Sequence, residues 1–379
     1  MDIFLTEQER MFQRNTRDFV EREIAPFVDE WDRRNELAFE AFQKLAAAGL
    51  TGLTLPEAYG GQGGSLTDAY LLSIELARAS ISVASIIGTH LGLALSGMFH
   101  YGSEELRQRY VVPAARGEKL CSFGLTERDA SSDVAAMSTV ARREGDEWII
   151  NGGKCFISNG DRADFFLTFA TVDRSLGAKG ITAFIIEKTM PGFSVVKVED
   201  KLGIRAESVA EIMFDDVRVP AANLVGEVGQ GMRIALATLD EGRLDVAGQG
   251  VGVASIALEA AIAYSKQRKQ FGKTISEFQG IQWMLADMAN QADAAWLMGF
   301  RTAKVADSGK RFSKEAAQSK LFAANAAMDV VRKSLQIHGG YGFMKDLPIE
   351  RYYRDAKILE IYEGTSEVQK MVISRALLS

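Results

Sequence analysis

Phe165-Phe166-Leu167-Thr168-Phe169-Ala170-Thr171 is a seven-residue run of aromatic, β-branched and small apolar side chains with no helical spacing. A short continuous apolar run of this composition reads as a buried strand. Similar runs lie on either side of it: Trp148 to Ile150, Ile181 to Ile186, Phe193 to Val198 and Ala210 to Phe214, with Pro191 and Pro220 as punctuation. Together they predict a small, mainly antiparallel β domain or barrel over residues 119–227.

Outward from this block the period changes. Towards the N-terminus, Phe12, Phe19, Val20, Ile24, Phe27 and Trp31 recur at helical intervals after a capping box formed by Thr6 and Glu9, and Pro26 is placed to break that helix. Residues 59–64 read as a loop, and Ser103 before Glu104 and Glu105 opens another helix. Ile81 to Met98 is apolar, but serines, glycines, Thr89 and His90 interrupt it, so a buried helix is expected rather than a membrane span. Towards the C-terminus, Met232 to Gln267, Ser276 to Asp307 and Ser313 to Ile337 read as long helices. The chain is thus expected to be α+β: a helical domain over 1–118, the β domain over 119–227, and a second helical domain over 228–379.

Bulk properties narrow the function. The 379 residues are 47% hydrophobic, enough for several packed domains. The net charge of −6 is a poor match to a nucleic-acid backbone, which calls for a basic stripe. Two cysteines, Cys121 and Cys155, make no disulfide framework and read as packing residues in a reducing compartment. The three histidines have no ligand-like spacing, so no metal site is expected. The first ten residues carry Asp2, Glu7 and Glu9 and have no signal-type apolar run, and the expected location is the cytoplasm. Gly248-Gln249-Gly250-Val251-Gly252 imitates a dinucleotide fingerprint, but it lies inside a helical pattern with no strand before it, so close helix packing is the expected role. Asp240 and Arg243, three apart on one helix, read by themselves as a surface ion pair.

Six segments carry more specific information. They are residues 123–133 (FGLTERDASSD), 153–160 (GKCFISNG), 201–205 (KLGIR), 214–220 (FDDVRVP), 268–272 (RKQFG) followed by Gln279, and a C-terminal set. That set runs from Gln336-Ile337-His338-Gly339-Gly340 through Arg354-Asp355-Ala356-Lys357 to Ile361-Tyr362-Glu363-Gly364-Thr365-Ser366. In order and spacing, and over essentially the whole chain, they resemble the acyl-CoA dehydrogenase family. The resemblance implies an N-terminal helical domain, a barrel-like β domain and a C-terminal four-helix bundle. It also implies an FAD cofactor, an acyl-CoA substrate, electron transfer to electron-transfer flavoprotein, and a homotetramer built as a dimer of dimers.

Residue roles follow from the same resemblance. Glu363 matches the base that removes the α-proton. On spacing alone it is an acid ahead of the last helix, where Ser366 with Gln369 reads as a capping box. Phe123, Leu125, Thr126, Phe156, Ile157 and Ser158 match contacts to the flavin, and Ser132 a residue between cofactor and thioester. Arg268, Phe271, Gln279, Gln336, Ile337, His338, Gly339 and Gly340 match contacts to the ADP half of FAD, partly across a subunit interface; Thr365, Ser366 and Glu367 complete the cofactor loop. Asp240, Glu241, Gly242, Arg243 and Gly364 match the substrate-binding set. In the family the base stands either at the position of Glu363 or at that of Gly242, so Glu363 is expected to act alone. Ser131 stands where the family usually has glycine and is expected to be strained if the backbone there is left-handed. Phe156 stands where tryptophan is common, Ser158 where threonine is, and Glu367 where glutamine is. An oxygen-using acyl-CoA oxidase-like enzyme and a catalytically silent acyl-CoA-binding or assembly protein are the competing expectations.

Overall fold

The computed structural model describes residues 2–378. Helix α1 (Glu7–Glu23) opens with the expected capping box: Thr6 accepts from the Glu9 amide at 3.2 Å and Glu9 accepts from the Thr6 amide at 2.8 Å. Pro26 sits in a 3-10 turn, Ala25–Phe27, that separates α1 from α2 (Val28–Arg34). Then come α3 (Phe39–Ala47), α4 (Leu66–Ala79), α5 (Ile81–Tyr101) and the irregular helix α6 (residues 104–115), which Ser103 caps. The most apolar 18-residue window of α5 is 94% buried within the protein, so its hydrophobicity is that of a core helix. Its middle, Gly88–Leu95, is wound as a π-helix. Such widened turns collect at functional sites.

The middle of the chain forms one twisted sheet from β1 (Cys121–Gly124), β2 (Val140–Glu144), β3 (Glu147–Ser158), β4 (Phe165–Thr171), β5 (Ile181–Glu187), β6 (Phe193–Val198), β7 (Val209–Pro220) and β8 (Leu224–Val225). The strand order is β6-β7-β3-β2-β4-β5-β8, with β1 beside β4. Pairing is antiparallel except for β1–β4 and the single β2–β4 bridge. Every residue of β4 is buried, as its unbroken apolar run requires.

Helix α7 (Gly231–Gln267) runs beneath the sheet and packs against α4 and against α9 (Ser313–His338). A small hairpin, β9 (Lys269–Gln270) and β10 (Lys273–Thr274), leads to α8 (Gln279–Asp307), and α10 (Gly340–Phe343), α11 (Ile349–Ala356) and α12 (Ser366–Leu378) finish the chain. The glycines of 248–252 lie within α7. A Cβ on Gly250 would sit 2.9 Å from the Ala323 carbonyl of α9, and one on Gly252 2.4 Å from the Ile74 carbonyl of α4. Close helix approach, not nucleotide binding, accounts for them.

Candidate active site

Sheet, α5, α7 and the segment before α12 enclose a cavity of about 500 Å³. That is the size of an enclosed small-molecule site. One wall comes from the sheet. β3 and β7 pair from Lys154 opposite Ile212 to Ile157 opposite Ala210, which leaves one extra residue on β3. This is a β-bulge, and bulges re-aim side chains beside active sites. Phe156 lies in it with φ of 56°, left-handed for a non-glycine, and is 67% exposed at the cavity. Strain of that kind persists only where the surroundings hold it. Here the neighbouring Cys155 amide donates to the Thr126 carbonyl at 2.9 Å. Buried Lys154 donates to the Leu125 carbonyl at 3.1 Å and to Glu127 at 2.7 Å. Burial alone would push the Glu127 carboxyl up, but Lys154, Ser138 and Thr139 hold it at about 2. Loop 125–127 is thereby tied to β3, and Phe123, Leu125, Thr126, Ser132, Ile157 and Ser158 all line this wall.

The opposite wall carries Glu363. It too is left-handed, φ 55°, followed by Gly364 at φ 89°. The turn is fixed from outside. Gln369 donates to the Glu363 and Gly364 carbonyls at 3.0 and 2.8 Å, and Lys320 of α9 donates to the Gly364 carbonyl at 2.7 Å. This corrects the expected capping box. Thr365 caps α12 by accepting from the Val368 amide at 3.3 Å, the Ser366 hydroxyl is buried without a partner, and Gln369 serves the turn instead.

The turn thrusts the Glu363 carboxylate at α7, where a Cβ on Gly242 would lie 2.7 Å from Oε2. That oxygen is buried and has no hydrogen-bond partner. Burial pushes the carboxyl up to about 7, with the charge of Asp245 adding to the effect and Arg243 and Lys320 opposing it. An unpaired buried carboxylate near neutrality, aimed into a cavity, is equipped for proton transfer.

Asp240 and Arg243 do form an ion pair, at 2.6 Å, but it is not a surface pair: Arg243 is 4% exposed and lines the cavity. Its Nε has no partner. Glu241, one residue on, turns away and accepts from Ser96 at 2.8 Å, outside the cavity lining. Ser131 is not left-handed, so the expected strain there is absent; it falls on Phe156 and Glu363 instead.

The structure thus brings Phe123, Leu125, Thr126, Ser132, Phe156, Ile157, Ser158, Gly242, Arg243, Glu363, Gly364 and Thr365 to one cavity. Arg268, Phe271, Gln279, Gln336, Gly339 and Gly340 are exposed at a different place, where α7 and α9 end and α8 begins; Ile337 and His338 are buried beneath them. The Arg268 guanidinium there stands 5.7 Å from the Tyr341 ring centroid. Glu367 is exposed on the first turn of α12. The sequence reading missed Ser85, Thr89, Asp245, Gln249 and Lys201 on the cavity wall, and Lys320 and Gln369 behind the turn. Asp245 and Gln249 could have been found, since they follow Gly242 by three and seven residues on one helix face.

Comparison with known proteins agrees with this geometry. The acyl-CoA dehydrogenase N-terminal, middle and C-terminal domains match residues 6–118, 122–217 and 229–378. A short-chain-specific acyl-CoA dehydrogenase of Clostridium acetobutylicum is 46% identical over 99% of both chains. The solved butyryl-CoA dehydrogenase of Megasphaera elsdenii superposes with a TM-score of 0.97, at 42% identity over 99% of both chains. A solved chain from work on the electron-transferring flavoprotein of Acidaminococcus fermentans gives 0.98, at 43% identity over the full length of both. With the cavity, the bulge and the turn at Glu363 in place, the chain belongs to the acyl-CoA dehydrogenase family.

Proposed function

We propose that this chain oxidises a short acyl-CoA thioester to the trans-2-enoyl-CoA with Glu363 as its only base. The observation that carries the reading is the unpartnered Glu363 Oε2, buried against Gly242 of α7 in a cavity that Phe156 also lines. An aliphatic Cβ–H leaves as hydride only if Cα gives up its proton at about the same time, so the base must face one side of the acyl chain and a hydride acceptor the other. FAD supplies that acceptor. The residues present suit it: a bulged strand with an outward aromatic, apolar Phe123, Leu125 and Ile157, and the Thr126 and Ser158 hydroxyls line the wall facing Glu363.

Glu363 receives the α-proton at its carboxylate. Arg243 and Lys320 temper the cost of its charged form, and the left-handed turn holds it in place. Gly242 leaves room for the carboxylate to stand against α7. Arg268, Gln279, Gln336, Gly339 and Gly340, exposed away from this cavity, are suited to the ADP half of a cofactor that crosses to a neighbouring subunit of a homotetramer. Electron-transfer flavoprotein takes the electrons onward, in the cytoplasm. Anaerobic mixing of the purified yellow enzyme with butyryl-CoA tests the reading: the flavin should bleach, enoyl-CoA should form, and electron-transfer flavoprotein should restore the colour faster than air does. Rapid peroxide formation in air with no response to the carrier would instead indicate an oxidase, and a protein that holds no FAD would overturn the reading.

A further inference from the structure

The cavity is polar at the end where an acyl-CoA dehydrogenase would need only hydrocarbon. Exposure along the α7 stripe shows which end is closed: Leu236 is 49% exposed, Gly242 is buried, and Val246 and Gln249 are each 1% exposed. The thioester therefore enters past Leu236, and the acyl tail runs beyond Glu363 towards Gln249. Asp245 and Gln249 lie three and seven residues past Gly242, which at 1.5 Å per residue is roughly 5 and 10 Å deeper.

Across the closed end, α5 presents Ser85 and Thr89, both less than a tenth exposed. Gln249 donates to Asp245 Oδ2 at 2.7 Å, and the Tyr362 hydroxyl donates to Gln249 Oε1. Ser85 donates to Glu207 at 3.0 Å, and the other Glu207 oxygen is buried with no partner. Asp245 stands so close to α5 that a Cβ on Gly88 would meet its Oδ2 at 2.1 Å; glycine there is what admits a carboxyl to the pocket. Buried polar groups in an alkyl-binding pocket carry a desolvation cost with no return from a methyl terminus. The groups here are mostly acceptors. The cations that line the cavity are engaged elsewhere than at Asp245: Arg243 pairs with Asp240, Arg354 with Asp32 and Glu350, Lys357 with Glu360, and Lys201 acts on Glu207.

We infer that this closed end recognises a short acyl group bearing a hydrogen-bond donor at its far end, a hydroxyacyl thioester, which donates to Asp245 with Thr89 beside it. An ω-carboxylate is disfavoured, because it would face Asp245, with Glu207 buried behind Ser85. The inference rests on the α,β-dehydrogenation proposed above and deepens it.

The test compares kcat/KM of the holoenzyme, with an artificial electron acceptor, for butyryl-, pentanoyl- and hexanoyl-CoA against the ω-hydroxy thioester of each length. A site built around a substrate hydroxyl discriminates strongly against the analogue that lacks it. At least one hydroxyacyl thioester should therefore exceed its alkyl partner by about tenfold or more. Asp245→Leu and the near-isosteric Thr89→Val should each bring that ratio towards or below one. Should Asp245→Leu fail to fold, Asp245→Asn serves, with a smaller fall in the ratio. Alkyl thioesters turned over as well as or better than their hydroxy partners, or a ratio unmoved in the variants, would overturn the inference and leave the dehydrogenase reading intact. Absence of flavin reduction by every thioester would instead strike at the dehydrogenase reading itself.

Discussion

Replacing Gly242 by alanine separates the catalytic role of the Glu363 geometry from its structural one. An added Cβ would lie 2.7 Å from Glu363 Oε2, 2.9 Å from its Cδ and 2.8 Å from Leu93 Cδ2. Ordinary non-bonded separations begin at about 3.5 Å, so the carboxylate must retreat by roughly 0.8 Å. A catalytic group misplaced by about 1 Å can lose about 10²-fold, and a fall of roughly 10- to 100-fold in the rate of flavin reduction is expected. Stability should move little. Both colliding groups are side-chain ends that can give way, at the low end of the about 1–3 kcal/mol for overpacking. Exchanging glycine for alanine within α7 returns about 1 kcal/mol of helix propensity. The assay is anaerobic stopped-flow bleaching at saturating acyl-CoA, with flavin content and Tm measured on the same sample. Parent-rate bleaching by a fully flavinated Gly242→Ala enzyme would refute the argument that Gly242 and Glu363 share that space.

Four other outcomes follow from the same structure. Because burial pushes Glu363 up to about 7 and the base acts ionised, kcat/KM for flavin reduction should fall as pH drops through about 7 in a steady-state profile. Glu207 and Glu241 are raised by burial to about 7 as well, so at these two carboxyls the folded chain holds more protons than the unfolded one between about 4.5 and 7, opposed by His90, which burial lowers to about 4. Their contribution to stability should decline as pH rises across that window, which denaturant midpoints at pH 5 and 8 would register. Lys154→Met leaves buried Glu127 without its cation and frees loop 125–127; a loss of about 3–5 kcal/mol in denaturant unfolding and faster flavin release are expected. Arg268→Ala should lower the flavin retained per chain after dialysis while leaving secondary structure intact, since Arg268 is exposed beyond the end of α7.

Much of the fold is legible in local pattern because burial on both faces leaves a local mark. β4, buried along its whole length, begins and ends with its apolar run at Phe165–Thr171; β6, Phe193–Val198, is marked by its valines and phenylalanine, although none of its residues is buried. β3 and β7 extend well past theirs. Gly152-Gly153 look like strand breakers yet pair with Phe214 and Met213, and Asp215-Asp216 fall in an irregularity beyond which pairing resumes at Val217. β2, Val140–Glu144, ends in two arginines and a glutamate, all exposed, and has no strand-like composition to find. The site was legible chiefly as a set of family motifs. What escaped is what tertiary structure alone supplies: Lys320 and Gln369 come from separate helices to hold the Glu363 turn, and Ser85 and Thr89 reach the cavity only where α5 crosses α7. For Arg243 the spacing of three suggests an exposed pair, while the depth of α7 in the domain decides otherwise; the family resemblance, not the spacing, puts it in the substrate-binding set.

The central claim is that one carboxylate, Glu363, takes the α-proton. Stopped-flow flavin bleaching of Glu363→Gln measures it directly, because the amide keeps the side chain's shape and removes only the base. The variant should fold, hold FAD and bind acyl-CoA, yet reduce its flavin about 10²-fold or more slowly than the parent. Bleaching at the parent rate would contradict the account and turn attention to Asp245, the carboxyl of α7 that lines the cavity.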